Sequence, residues 1–161
     1  MSTPIAAAHF TAALLALLDE AFDHVHGYFL DRGTSLFETL TTISASEASI
    51  PVGGSCATLA AQVKHIAFYL DVLEESVRTQ TFTPQDWGEI WRTTGAVTDQ
   101  EWAGLQDDLR ASYQRIQALI KDTDAWSSER VIGGAMATVV HTAYHLGEIR
   151  QALCTLQSAA A

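Results

Sequence analysis

Cysteine, proline and basic residues are all scarce in this chain of 161 residues: 2 Cys, 3 Pro, and 9 Lys and Arg together. Cys56 and Cys154 form neither a CxxC nor a zinc-finger spacing, so there is no disulfide framework and the cytoplasm is the default compartment. The basic residues face 19 acidic ones, a formal net charge of −10 at pH 7, and nowhere form a run. Binding a nucleic-acid backbone needs clustered Lys and Arg, as does binding an anionic membrane surface. The expectation is no nucleic-acid partner and no membrane partner.

No apolar run is long enough to cross a bilayer. The most apolar stretch, residues 5–18, has no basic residue before it and is followed by Asp19 and Glu20; the first positive charge is Arg32. It reads as a buried amphipathic helix rather than an export signal. No GxSxG, P-loop or GxGxxG stands between a strand and a helix, and there is no HExxH, which leaves several common enzyme classes without support. No strand pattern, internal repeat or low-complexity tract is present.

What is there is a 48% hydrophobic, 17% charged composition that suits one globular domain over residues 1–161. Four segments have helical periodicity. The first, 4–22, carries Leu14, Leu15, Leu17, Leu18 and Phe22, with Pro4 in the first turn. A less regular region, 23–54, holds a short helix at 35–43 and breakers at Pro51 and Gly53-Gly54. The second long helix, 55–78, would be capped by Ser55 and show a stripe of Leu59, Val63, Ile66, Leu70, Leu73 and Val77. The third, 98–121, opens on Thr98-Asp99-Gln100-Glu101, a capping box. The fourth, 133–156, begins at Gly133-Gly134 and is apolar on nearly every side, with Met136, Val139 and Leu146 on one flank and Tyr144 and Leu156 on another. Burial on all sides predicts a homodimer. The connection 79–97, with Pro84, Trp87 and Trp91, is long enough to be a crossover placing the second and third helices parallel. The predicted class is therefore all-α, a four-helix bundle with a long crossover between helices two and three.

The chemistry lies in histidine. His141 and His145 are four apart in HTAYHLGEIRQAL, about 40° and 6 Å apart on a helix, so both imidazoles can reach one ion. His65 lies mid-helix in QVKHIAFYL, and on a facing helix it would complete a set of three nitrogen ligands with positions left for water or substrate. Core histidines satisfied by hydrogen bonds are the competing reading. Glu148 shares the face of the pair and would orient a histidine, act as a general base, be a fourth ligand, or form a salt bridge with Arg150 or Lys121. Tyr69 and Tyr144 read as wall residues. Trp87, Trp91 and Trp102 read as anchors of the crossover, with a ligand pocket as the alternative. His24 and His26 suit a helix C-terminus, and His9 belongs to the first helix. Each cysteine is nine residues from a histidine, half-way round a helix, so neither is expected to be a ligand.

These segments resemble a known family. GGAMATVVHTAYHLGEIRQAL is similar to the HxxYHxGxIRQ-like text of the DinB/YfiT-like superfamily, and LAAQVKHIAFYLDVL, the ASIPVGGSCATL lead-in and the Trp87–Trp91 connection fit it too. The resemblance spans nearly the whole chain. It implies a four-helix bundle with a crossover, a homodimer, and a divalent ion, nickel or zinc, held by His65, His141 and His145. Characterised members include thiol-dependent S-transferases and a maleylpyruvate isomerase that use low-molecular-weight thiols, and others are described as metal-dependent hydrolases of small molecules. The resemblance leaves the substrate open. It also leaves open a non-catalytic metal- or ligand-binding stress-response protein, or a member that binds no metal.

Overall fold

Side-chain oxygens placed just ahead of apolar runs start most of the helices. The computed structural model describes residues 5–54, 56–122, 126 and 128–160. Its elements are α1 (Ala7–Phe22), α2 (Leu36–Leu40), α3 (Ala45–Ala48), a 3-10 turn at Val52–Gly54, α4 (Leu59–Thr79), α5 (Glu89–Thr93), α6 (Asp99–Asp122) and α7 (Glu129–Ala160). No strand occurs among the described residues, so the all-α expectation is met.

Capping boxes open α2 (Ser35 with Glu38) and α3 (Ser44 with Glu47). The expected box at α6 is present, with Thr98 N–H donating to Glu101 Oε2 at 2.8 Å and Glu101 N–H to Thr98 Oγ1 at 3.3 Å. Helix α4 starts at Leu59, later than predicted, because Thr58 is its cap and accepts from Ala61 N–H at 3.1 Å. Ser55, the expected cap, and Pro4 lie outside the described residues. Helix α7 starts earlier than predicted. Ser128 accepts from Val131 N–H at 3.2 Å, and Gly133-Gly134, read as a boundary, lies inside the helix. Two helical glycines cost about 2 kcal/mol relative to alanine, which the docking of a long helix outweighs. The predicted helix at 35–43 is present in shorter form as α2, and α3 follows it as a further short helix.

Helix α4 packs against both α6 and α7, and α1 packs against α7 and α6. Gln62 meets Glu148 while Ser76 meets Arg130, so α4 and α7 run antiparallel. Leu59, Val63, Ile66 and Leu70 of the predicted α4 stripe are fully buried, each stabilising the fold by about 1.5–3 kcal/mol. They meet Leu18 and Phe22 of α1, Leu109 and Ile116 of α6, and Leu146 and Ile149 of α7 in one core. Phe22 stacks on Tyr113 with ring centroids 4.5 Å apart. Trp102 is buried, and its indole N–H donates to Ile43 O at 2.9 Å, tying α6 to the region between α2 and α3.

The segment after α1 is organised by a buried carboxylate. Glu20 is fully buried and accepts the backbone N–H groups of Phe29 and Leu30 on one oxygen and of Tyr28 and His26 on the other, at 2.7–3.3 Å. Burial alone would raise its pKa, but these donors together hold it below the ordinary glutamate value. The outer side of α7 stays open, with Met136, Val140 and Tyr144 exposed at helical spacing. No described helix is long and apolar enough to cross a membrane.

Candidate metal centre

The antiparallel register of α4 and α7 brings His65 level with His141 and His145. His65 Nε2 lies 3.2 Å from His141 Nε2, and His145 Nε2 lies 3.2 Å from the same atom. The three rings offer nitrogens that all lie within 4.8 Å of one another, a group able to hold a metal ion. His65 and His145 are buried and His141 is half-buried.

Hydrogen bonding decides where the proton of His145 sits. Its Nδ1 faces Gln62 Oε1 at 2.6 Å and Glu148 Oε2 at 2.9 Å, two acceptors. The Gln62 amide cannot be reversed without turning its oxygen on the carboxylate, because its Nε2 donates to Glu148 Oε2 at 3.2 Å. His145 therefore carries its proton on Nδ1 and turns the lone pair of Nε2 toward the other two histidines. This is the carboxylate–histidine arrangement that orients metal ligands. Glu148 stands behind His145 rather than among the converging nitrogens. Of its four expected roles the geometry fits orientation, and its partners are His145, Gln62 and Tyr144 in place of Arg150 or Lys121.

The other two rings are held by stacking and burial. Tyr69 lies parallel on His141, centroids 3.6 Å apart and planes 9° apart. Trp91, in α5, covers His65 at 4.5 Å, and Trp87 packs on Phe68 at 5.5 Å. The connection thus anchors itself on the site, as well as joining α4 to α6. Tyr144 is exposed and meets the ring of His145 edge-on at 5.0 Å. Burial lowers the pKa of His65 to about 4 and of His141 to about 3, with the neighbouring His145 adding to both. Burial also lowers that of His145, against the opposing pull of Glu148. All three are neutral near pH 7, the form that ligates metal.

The arrangement fits an ion better than a hydrogen-bonded core. With the His145 proton on Nδ1, an N–H on His141 Nε2 can bond only one of its two Nε2 neighbours, so hydrogen bonds leave one close N···N contact unpaired, whereas an ion would take all three lone pairs. Tetrahedral coordination at a zinc–nitrogen bond of about 2.0–2.1 Å puts neighbouring nitrogens about 3.3 Å apart, close to the 3.2 Å found.

The remaining candidates lie elsewhere. His26 Nε2 pairs with Asp19 at 2.7 Å and His24 is exposed beside Asp19 and Asp23, both just after α1, while His9 is exposed on α1. Both cysteines are free and exposed. Cys56 precedes α4, so the half-turn argument does not set its direction; it lines a groove with Gln62, Tyr144 and Glu148. Gln62 is the site residue that sequence reasoning missed. Its position three before His65 put a hydrogen-bonding side chain on the histidine face, and that was the available signal. No family model matches the chain, and no curated protein or solved structure matches it significantly.

Proposed function

We propose that this chain is a divalent-metal-dependent enzyme built as a DinB/YfiT-like four-helix bundle with a crossover between its second and third long helices. In this reading His65, His141 and His145 are the ligands, and the reaction is hydrolysis or thiol-dependent S-transfer on a small molecule. The observation that carries the reading is the convergence of three Nε2 atoms, one of them with its tautomer set by Glu148 and Gln62. A bound nickel or zinc ion would supply the positive charge that acidifies water or a low-molecular-weight thiol near neutral pH.

The chain's own residues prepare the site. Glu148 and Gln62 fix the ring of His145, Tyr69 fixes that of His141, and Trp91 shields His65 from water. Their burial keeps the imidazoles neutral, so a metal does not compete with protons at pH 7. The same reading takes the open Met136–Val140–Tyr144 stripe as a homodimer contact and the protein as cytoplasmic.

Elemental analysis of protein purified without a histidine tag tests the proposal. One equivalent of nickel or zinc per chain, lost in His141→Ala with little change in melting temperature, supports a reactive ion. Loss of the ion together with a large fall in stability points to the non-catalytic metal-binding alternative. Absence of any bound ion, and failure to take one up on titration, overturns the metal reading.

A further inference from the structure

Helices α4, α6 and α7, with Phe82 and Trp126 beside them, line a half-open cavity separate from the histidines. It has a volume of about 260 Å³, and its wall includes Leu73, Val77, Ile116, Ile120, Val131 and Ala135. It lies in the same α4–α7 seam, displaced toward the end of α4. Leu73 is one turn beyond Tyr69, which stacks on His141. An apolar cavity of about 150 Å³ is enough to hold benzene. The space here accepts a substituted ring or a chain of roughly six to eight carbons.

The polar part of the wall is one-sided. The chain has 19 acidic residues, yet no described carboxylate lines this cavity. Among the described residues its one cation is Arg130, exposed at the rim. The guanidinium contacts Ser76 Oγ at 3.5 Å and pairs with no carboxylate among the described residues. Ser76 and Ser128 add hydroxyls beside it, and the first turn of α7 contributes the positive end of a 32-residue helix. Glu129 shares that turn but does not line the cavity.

We propose that this cavity binds an amphipathic monoanion, a medium-chain or aryl carboxylate, with its tail in the apolar interior and its carboxylate on Arg130. An uncharged head group would leave the guanidinium to water, and an ammonium would meet it as a like charge. The site requires no metal and stands whether or not the histidines bind one.

Isothermal titration of the full chain with octanoate, 1-octanol and octylammonium tests this. Octanoate should bind one per chain, roughly tenfold tighter than octanol, as a charge-assisted contact implies, and octylammonium should bind weakest. Arg130→Gln should remove the advantage of octanoate and leave octanol unchanged. Gly134→Leu fills the cavity: a Cβ at Gly134 meets nothing within 4 Å, and the position lines the wall. That variant also replaces a helical glycine, so it should melt no lower than the parent while losing both ligands. Prior treatment with EDTA should leave octanoate binding intact. Equal binding of octanol and octanoate, binding that survives Gly134→Leu, loss of binding on EDTA treatment, or no binding of any of the three would each overturn the proposal.

Discussion

Removing the carboxylate behind His145 should loosen a metal without touching a ligand. Glu148→Ala deletes one of two acceptors on His145 Nδ1, at 2.9 Å, and leaves Gln62 Oε1 at 2.6 Å. A hydrogen bond to a charged group is worth about 1.5–3 kcal/mol when fully buried. The Glu148 side chain is 37% exposed, so water partly replaces it and the lower half of that range applies. Loss of such an orienting partner lowers metal affinity about 10- to 100-fold, or about 1.4–2.7 kcal/mol. Glu148→Gln keeps an acceptor and loses only the charge, so its loss should be a few-fold. Gln62→Ala acts on the same N–H, and because each single variant leaves the other acceptor in place, the double variant should lose more than the sum of the singles. Competition for zinc against a chromogenic chelator, with circular dichroism to verify folding, measures all four variants. Wild-type affinity in the Glu148→Ala, Gln62→Ala double variant would refute the tautomer argument.

Three further outcomes are expected. Glu20→Gln faces an amide N–H₂ toward two of the four backbone donors, and should destabilise the fold by about 3 kcal/mol, a melting shift of roughly 6–12 °C for a chain of this size. Because Glu20 is held below its ordinary pKa, its contribution is present above the unfolded glutamate value and fades as the pH falls, so the gap between the two proteins should close in acid. In metal-free protein His65 and His141 sit at about 4 and about 3 in the fold against 6.5 when unfolded. The unfolded chain therefore binds more protons below pH 6.5, and the urea midpoint should be highest above that value and fall steadily toward pH 5, with a flatter profile in a His65→Gln, His141→Gln double variant. Trp102→Phe strands the Ile43 carbonyl and should cost about 1–3 kcal/mol in urea unfolding; a change under 0.5 kcal/mol would mean that water takes over the bond.

The long helices were readable because their apolar residues recur with the helical period. The same arithmetic put His65, His141 and His145 on faces that could meet, and they do. Helix α7 shows where local rules fail. Two adjacent glycines read as the start of the helix, whereas the Ser128 cap and the packing of Leu146, Ile149 and Leu153, far along the same helix, carry it back through them to Glu129. Helix α3 went unseen although Ser44 and Glu47 have the spacing of a capping box, because four residues are too few to show a period. Gln62 was hidden for another reason. A glutamine on a helix face has no preferred role until a partner from a distant segment arrives, and Glu148 is 86 residues away. The pairing of Trp91 with His65 is equally non-local, since it depends on the path of the connection.

That pairing also gives the protein an internal optical probe. An indole 4.5 Å from an imidazole senses the electronic state of whatever that imidazole holds. An open-shell ion such as Ni²⁺ drains the excited state of a neighbouring indole, whereas closed-shell Zn²⁺ does not. Emission from Trp91, isolated by replacing the other three tryptophans with phenylalanine, should then report both when His65 fills and with which kind of ion.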